Sequence, residues 1–452
     1  MIKKFFFLLL LILCFPSLII AQENSENKNR SVFSGQIRSY YMNTVNKGSL
    51  KDFKALAVGG KLKYQYLFNE NLEFGVAVYN STNLGLQDLT SPDLATGKVS
   101  RYEEGLFDRL NLDNKTIFIL GELYVDYSLE KHSFSLGRMK LKSPLINPQD
   151  GRMIPSLFQG FMYKFDRDKK THFQTGIFNA VAPRSTGEFY SIGESIGTYG
   201  AGRNFEGKDS QYANNTNSDF LIISSANFNL TKELSFDTWN YYIDNVSNSF
   251  YIKPKIAVAP SVDLEMEWLH QNKIGNGGNE IDSLSYFRSN TSDVLGIKMK
   301  YKWAQSNSSI SLAYDRILPH GQFVFPREWG REFLFSFQKR ERSEGTADNH
   351  ALVMYYENTF PLLDPKSKIQ TIFSVGHQWK PSVLDPKLNK YAVPDYTHVN
   401  LDIFFFFDKI KNLQPELLLV AKFANGDFPD NPNFYLNKTD LFHADLILNY
   451  NF

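Results

Sequence analysis

The sequence predicts an all-β protein: a single transmembrane antiparallel β-barrel of about 18 strands, with short periplasmic turns and long extracellular loops. Three features of the 452-residue chain predict this fold. The N-terminal segment resembles an export signal, many segments alternate between apolar and polar side chains, and the final alternating segment ends on an aromatic residue, Phe452.

The composition excludes several other classes of protein. Hydrophobic residues make up 42% of the chain and charged residues 21%, which is unlike a disordered chain or a bundle of membrane helices. Lys and Arg number 49 and Asp and Glu number 48; without Lys3 and Lys4 the balance becomes 47 against 48. A protein that binds nucleic acid needs a basic excess to meet phosphates. We therefore expect no nucleic-acid partner.

Residues 1–21 have the pattern of a secretory signal peptide. A basic start is followed by the largely apolar run Phe5–Ile20 and then by Ala21, a small residue at a plausible cleavage site. The single cysteine, Cys14, follows Leu13, which is larger than the residue a lipoprotein signal has there. We therefore expect cleavage of the signal, and a mature chain with neither disulfides nor thiolate metal sites.

Alternation with a period of two is the strongest pattern in the rest of the chain. In Leu56–Tyr66 and again in Leu295–Trp303, lysines alternate with aliphatic and aromatic residues. Successive side chains of a strand point to opposite faces, so the apolar set and the lysines face different environments. A soluble sandwich also alternates, but strands of ten or more residues with aromatics near their ends fit a lipid-facing band. Downstream of the signal no apolar run approaches the ~18–20 residues of a membrane helix.

The final segment shows the same alternation up to the last residue. One face carries Phe442, Ala444, Leu446, Leu448, Tyr450 and Phe452. A terminal aromatic residue on an alternating strand resembles the sorting signal of outer-membrane barrels. We therefore expect the barrel assembly machinery to recognise Phe452.

The chain contains about 18 such segments, separated by gaps that are alternately short and long. The segments start near residues 32, 55, 71, 116, 131, 158, 170, 219, 232, 249, 261, 293, 308, 350, 368, 397, 412 and 440. Tight turns on one rim and long loops on the other are typical of outer-membrane barrels. We expect one barrel domain over residues 22–452, in contact with outer-membrane lipid. A barrel of this size leaves an aqueous lumen.

Counting alternate positions along the strands predicts which charged side chains face the lumen. The basic ones are Arg38, Lys61, Lys63, Lys253, Lys255, Lys298, Lys300 and Lys302, and the acidic ones are Glu122, Asp126, Asp263, Glu265 and Glu267. The basic residues could form a ladder that attracts an anionic group such as a carboxylate. They could equally form ion pairs across strands, because one acidic strand lies between two basic ones. Both interpretations stay open.

The loop 143–156 contains three prolines, with Asp150 and Arg152 near its centre. Proline fixes φ, so we expect this third loop to hold one shape. A stiff loop could fold inward, and Asp150 and Arg152 would then form the pore constriction. The alternative is a surface loop in which this pair closes a turn.

Two stretches resemble the OprD family of outer-membrane porins. The first resembles the family's constriction-loop region and comprises Gly137-Arg138, Pro144-Leu145, Asp150, Arg152, Pro155, Phe158 and Gly160; the second comprises Trp329–Glu332 and Arg340–Gly345. The resemblance implies a substrate-selective porin with the third loop in the lumen, Asp150 and Arg152 at the constriction, and a basic ladder on the wall. Such porins pass small carboxylate-bearing nutrients. The family's ladder is rich in arginine, whereas lysine here offers a point charge, which implies looser carboxylate selectivity.

The predicted function is passive diffusion of small hydrophilic, anionic or zwitterionic solutes through the outer membrane of a Gram-negative bacterium, with a homo-oligomer as one possible state. An adhesin or structural barrel is the alternative, and an enzyme barrel a less favoured one. His443 and Asp445 are interpreted as a polar lumen pair rather than a catalytic dyad, and the chain has no His-Glu-x-x-His metal motif. We expect no catalysis, cofactor or metal.

Overall fold

A computed structural model describes residues 30–148, 152–362, 366–425 and 431–452. The predicted signal segment 1–21 and the predicted constriction residue Asp150 lie outside these ranges. The third-loop residue Arg152 lies within them.

The described chain forms nineteen β-strands, of which eighteen are long. They are β1 (Ser31–Asn46), β2 (Phe53–Leu67), β3 (Leu72–Asn83), β4 (Thr116–Leu129), β5 (His132–Met139), β6 (Leu157–Asp168), β7 (Thr171–Ala182), β8 (Tyr190–Ser191), β9 (Leu221–Asn229), β10 (Leu234–Ile243), β11 (Ser247–Ala259), β12 (Val262–Lys273), β13 (Thr291–Lys302), β14 (Ser308–Ile317), β15 (Asn349–Pro361), β16 (Lys368–Trp379), β17 (Tyr396–Phe406), β18 (Leu413–Ala424) and β19 (Leu441–Asn451).

Each long strand pairs antiparallel with its neighbours, and β1 pairs with both β2 and β19. The closing seam runs from Gln36 opposite Asn451 to Asn46 opposite Leu441. The short strand β8 is an addition beside β7, which also pairs with β9. The long strands therefore form a closed 18-stranded barrel, which confirms the predicted fold. Every predicted start lies within two residues of an observed strand start.

The two faces of the strands differ as the alternation predicts. On β19, Phe442, Leu446 and Leu448 are exposed, whereas His443 and Asp445 are buried. Apolar side chains on the outer face and polar ones on the inner face are the arrangement of a barrel that meets lipid outside and water inside.

A bulge in β4 changes which positions face inward. The pairing with β3 shifts between Ala77 and Val78, next to Gly121. As a result, Ile119 and Glu122, an odd and an even position, are both buried. A Cβ on residue 121 would lie 2.5 Å from Leu157 Cδ1, so the wall is closely packed there. Strict alternation fails at this point, because a bulge adds one residue to one strand.

Nine connections lie on the outer rim. We number them as loops: first (47–52), second (84–115), third (140–156), fourth (183–220), fifth (244–246), sixth (274–290), seventh (318–348), eighth (380–395) and ninth (425–440). The loops contain one α-helical turn, α1 (Ile192–Ser195), and the 3₁₀ turns Glu103–Leu106, Asp282–Leu284 and Pro432–Phe434. No helix in the described ranges is long and apolar enough to cross a membrane.

The loops pack against the inner wall and form a core inside the barrel. Trp329 of the seventh loop is fully buried, and its ring centroid lies 6.0 Å from those of Phe158 and Phe325. Phe325 in turn packs against Tyr241 of β10 at 5.5 Å. Close packing of aromatic rings fixes the seventh loop relative to the wall.

Candidate functional site

Part of the seventh loop lies inside the lumen. The backbone N–H of Phe335 donates to Glu267 (2.7 Å) and that of Ser336 donates to Asp315 (2.6 Å). The wall residue Tyr355 donates to the carbonyls of Phe335 and Phe337. From the loop, Gln338 donates to Ser374, Lys339 pairs with Asp402 and Glu416, and Arg340 contacts Tyr40 and Asp445. The segment 335–340 thus touches eight strands, from β12 round to β1.

The third and seventh loops hold each other. The Asn147 side chain donates to the carbonyl of Arg331 (2.7 Å) and accepts from its backbone N–H (3.3 Å). The backbone N–H of Phe333 donates to the carbonyl of Pro144 (3.0 Å). These bonds fix the third loop against the part of the seventh loop that enters the lumen.

Eight arginines line one small cavity beside the seventh loop, which we call the arginine cavity. They come from the second, third, fourth and seventh loops and are Arg101, Arg109, Arg152, Arg184, Arg327, Arg331, Arg340 and Arg342. Tyr102 and Glu341 complete its described lining. Guanidinium groups are weakly hydrated and are therefore buried at lower cost than ammonium groups. The cavity nevertheless brings together many like charges around one lining carboxylate.

Only some of this charge is neutralised by nearby carboxylates. Three arginines have an ion pair of their own with another described residue: Arg109 with Glu104, Arg340 with Asp445, and Arg342 with Glu332. Glu341 is engaged by other cations, since its carboxylate lies 3.1 Å from Lys422 Nζ and 3.5 Å from His398 Nδ1. The cavity therefore keeps an excess of positive charge.

The excess is clearest at Arg101 and Arg331, which form no ion pair in the described part of the chain. Arg331 is only 5% exposed, and its Nε has no hydrogen-bond partner there. Burial lowers the pKa of Arg331 well below its usual value, and Arg342, Arg152 and Arg340 lower it further. Because guanidinium keeps its proton in proteins, the lowered pKa measures unfavourable crowding rather than loss of charge.

A larger cavity of about 940 Å³, the outer vestibule, lies among the outer loops. Its basic lining residues are Lys98, Arg101, Arg109, Arg203, Arg327, Lys390 and Lys438, against the carboxylates Glu104 and Asp209. Burial lowers the pKa of Lys438 to about 7, and neighbouring cations including Arg101 contribute. Arg101, Arg109 and Arg327 line both cavities, so the vestibule adjoins the arginine cavity. A cleft lined by one sign of charge concentrates solutes of the opposite sign.

Most of the predicted wall lysines lie beside carboxylates. The ion pairs are Lys63 with Glu122 (3.2 Å), Lys253 with Asp237 (3.6 Å), Lys255 with Asp263 (3.0 Å) and Glu265 (3.8 Å), Lys300 with Glu357 (3.0 Å), and Lys302 with Asp263 (2.6 Å). Lys61 and Lys298 form no ion pair within the described ranges, and Lys298 Nζ lies 5.2 Å from the Tyr355 ring centroid. The wall thus favours the cross-strand pairing interpretation, because most lysines there are neutralised.

The remaining predicted site residues have different surroundings. Arg38 on β1 donates to Asn449 (2.7 Å) and to the carbonyl of Arg152 (2.7 Å), which joins the wall to the third loop. Glu267 is occupied by the seventh loop, and Asp126 is half-buried on β4. Of the predicted site residues that the structure describes, only Arg152 therefore lines the arginine cavity.

One buried arrangement resembles part of a hydrolytic site. Thr44 Oγ1 lies 2.7 Å from His443 Nδ1, and His443 Nε2 lies 3.0 Å from Asp445 Oδ1. All three side chains are buried, and Thr44 also donates to Glu103 of the second loop (2.5 Å). A nucleophile must reach its substrate. The arrangement instead ties the second loop to β1 and β19.

The pentapeptide Gly193–Gly197 has the spacing Gly-x-Ser-x-Gly of a nucleophile elbow. An exposed serine there would conflict with the expectation of no catalysis. A nucleophile elbow exposes its serine on a sharp turn between strand and helix. Ser195 is instead fully buried at the end of α1, where its Oγ donates to the carbonyl of Ile192 (2.7 Å) and accepts from Trp329 (2.9 Å). Among the described residues, no group of three or more His, Cys, Asp or Glu could hold a metal ion.

Most of the arginine cavity was not predictable from the sequence, because its residues lie in loops without a periodic pattern. A usable signal was present in the distribution of arginine. The chain has 15 arginines, of which eight line this cavity, whereas the wall carries mostly lysine. Arginine concentrated in loops, in a chain whose strands use lysine, indicates a site that needs planar, weakly hydrated cations.

Solved structures with the same fold include three porins. OccAB4 of Acinetobacter baumannii is 15% identical, with a TM-score of 0.67 over 95% of this chain and 100% of that one. OccK8 (OprE) of Pseudomonas aeruginosa is 16% identical, with a TM-score of 0.67 over 93% of this chain and 98% of that one. OpdK of Pseudomonas aeruginosa, solved with vanillate, is 12% identical, with a TM-score of 0.65 over 93% and 98%. At these identities the likeness shows the fold.

No curated protein matches the sequence. The family described as outer membrane porin, OprD family, matches residues 124–378, which is more than half of the chain. That range includes the third and seventh loops, which hold five of the eight arginines of the cavity. The chain belongs to the OprD family of outer membrane porins.

Proposed function

We propose that the chain is a passive channel selective for small hydrophilic solutes that carry a carboxylate. The observation that carries the proposal is the arginine cavity, which adjoins the basic outer vestibule. Guanidinium forks match the two oxygens of a carboxylate and bind them with paired hydrogen bonds. An anionic solute would enter the vestibule, exchange water for arginine contacts, and diffuse on down its gradient.

The vestibule also offers surfaces for the uncharged part of such a solute. Tyr199, Tyr391 and Phe434 contribute to its lining among the basic residues. Aromatic rings can pack against an apolar group while the cations hold the anionic end. The structure of OpdK with vanillate gives a precedent within the family, because vanillate is an aromatic carboxylate.

We propose further that the third loop narrows the passage together with the seventh loop. The bonds from Arg38 to Arg152 and from Asn147 to Arg331 support this, because they join the third loop to the wall and to the seventh loop. An adhesin or a purely structural barrel would have no use for a buried excess of arginine.

The location follows from the family, whose members reside in the bacterial outer membrane. For this chain we propose that residues 1–21 direct export and are then removed, and that the assembly machinery binds the C-terminal strand. Gly35 and Phe452 exchange two backbone hydrogen bonds (2.8 and 3.1 Å) at the closing seam. Recognition of Phe452 would therefore come before the seam closes.

Deletion of residues 147–153 tests the role of the third loop. We expect a higher single-channel conductance, because the deletion removes Arg152 from the cavity and the Asn147 bonds to the seventh loop. Planar-bilayer recordings of purified mature protein measure it. Deletion of residues 280–284 from the sixth loop is the control and should leave conductance unchanged. Equal conductance for both deletions would place the third loop outside the passage.

A further inference from the structure

The positive charge at the arginine cavity exceeds what one singly charged anion would neutralise. Arg101 and Arg331 form no ion pair in the described chain, and Glu341 is shared among Lys422, Lys380 and His398 rather than given to the cavity. Arg327 also lacks an ion pair within 4 Å in the described residues, although Glu344 and Glu328 lie close enough to raise its pKa against the lowering effect of burial.

Four of the arginines that line the cavity also have a buried hydrogen-bond donor without an acceptor. The Nε atoms of Arg109, Arg327, Arg331 and Arg340 are buried and have no hydrogen-bond partner in the described structure. Arg331 and Arg340 are each only 5% exposed. A buried donor without an acceptor is costly, and a charged donor more so. These donors come from two loops, and a ligand with several oxygens could satisfy more than one of them.

Some of the cavity arginines have a structural role, because they donate hydrogen bonds to backbone carbonyls of the loops. Arg184 donates to the carbonyl of Arg327 (2.6 Å), Arg331 donates to that of Glu341, and Arg342 donates to that of Gly330 (3.1 Å). Each guanidinium has five N–H donors, so one such bond leaves the Nε of Arg331 available. Carbonyl oxygens accept hydrogen bonds but add no negative charge. These hydrogen bonds join the loops but leave the excess of positive charge in place.

We infer that the solute selected where the arginine cavity meets the outer vestibule, at the shared residues Arg101, Arg109 and Arg327, is a compact polyanion, with at least two carboxylate or equivalent anionic groups a few bonds apart. The inference rests on the proposed function and narrows its substrate class. A monocarboxylate offers one negative charge and two oxygens, whereas a dicarboxylate offers two negative charges and four oxygens. Only the polyanion offers enough negative charge for the excess and enough oxygens for several of the unpartnered donors.

Three probes of similar size and rising charge test the inference: butyrate, succinate and propane-1,2,3-tricarboxylate, at neutral pH and constant ionic strength. Binding to the purified full-length barrel is measured by titration calorimetry, and passage is measured by tracer uptake into proteoliposomes. We expect succinate and the tricarboxylate to bind about tenfold more tightly than butyrate, or better, as one further desolvated charge pair would give.

The variants Arg101→Gln and Arg331→Gln should reduce this preference for polyanions, because each removes a cation that has no ion pair of its own. Arg101→Gln should disturb the loop structure less than Arg331→Gln, since the Arg101 side chain makes no hydrogen bond in the described structure. Arg331→Lys keeps the charge without the planar fork and should retain part of the preference. The control Arg167→Gln removes the same charge at the tight-turn rim, where Arg167 is exposed, and should leave the preference unchanged.

The outcomes separate this inference from the proposed function. Passage of all three probes with no binding preference for succinate over butyrate would overturn the inference and leave the channel intact. So would a preference that both glutamine variants retain in full. Tight binding of succinate without uptake would support the inference and contradict the channel. Hydrogenphosphate that competes with succinate would show that the site accepts polyanions in general, and failure to compete would restrict it to polycarboxylates.

Discussion

Deletion of residues 333–340 from the seventh loop should raise single-channel conductance several-fold. This segment carries the contacts to eight strands, so its removal opens the part of the lumen that it now occupies. The two ends of the gap lie close together, because Arg342 donates to the carbonyl of Gly330 (3.1 Å) and pairs with Glu332 (3.2 Å). A short glycine linker can therefore join them without straining the wall.

Planar-bilayer recordings measure this effect, and heat-modifiable migration on a gel verifies that the barrel has folded. The matched control is again the deletion of residues 280–284, which lie at the outer rim in the sixth loop. A folded variant with the conductance of the unaltered protein would show that the seventh loop does not limit ion flow. The wider variant should also lose discrimination among carboxylates, because Arg340 leaves with the segment.

The second large effect is expected from Asp445→Ala. Asp445 and Arg340 form an ion pair with almost no solvent exposure. Tyr40 accepts a hydrogen bond from Arg340 but carries no negative charge that could replace Asp445. Burial lowers the pKa of Arg340, but Asp445, Tyr40 and Tyr102 together outweigh this effect and raise the pKa above its usual value. Breaking a buried pair by removing one partner costs about 3–5 kcal/mol, because the other charge stays buried and unpaired. We expect this cost to release the seventh loop from the wall.

Release would appear as rapid fluctuations of the single-channel current. Asp445 also ends a chain of hydrogen bonds through His443 and Thr44 to Glu103, so the second loop should loosen with the seventh. The double variant Arg340→Ala/Asp445→Ala is the control. Because it leaves no unpaired buried charge, it should restore much of the steady open-channel current. Steady currents in the single variant would show that this pair does not hold the loop.

The barrel was predictable from sequence because each strand alternates between two solvents. Lipid outside and water inside impose a period of two on every strand, and β19 keeps it from Leu441 to Asn451. The strand starts could therefore be placed to within two residues. The bulge beside Gly121 was not visible, because one extra residue leaves no mark in the composition. The short strand β8 is too brief to show alternation.

The candidate site was predictable only in part. Arg152 was found because its loop resembles the constriction region of a known family, whereas Arg101, Arg109 and Arg184 lie in loops without a pattern. Their convergence depends on how the loops fold back into the barrel, and sequence spacing does not determine that path. The wall residues Asp263 and Lys302 lie on neighbouring strands, and their ion pair is diagonal, because the register places Lys300 directly opposite Asp263.

The central claim is that the chain forms an open channel whose outer entrance and constriction favour anions. The most direct test is single-channel current through purified mature protein in a planar bilayer under a KCl gradient. We expect discrete open steps with a reversal potential that shows preference for chloride over potassium, a preference that weakens as salt screens the arginines. A folded barrel that conducts nothing, or one that prefers potassium, would contradict it.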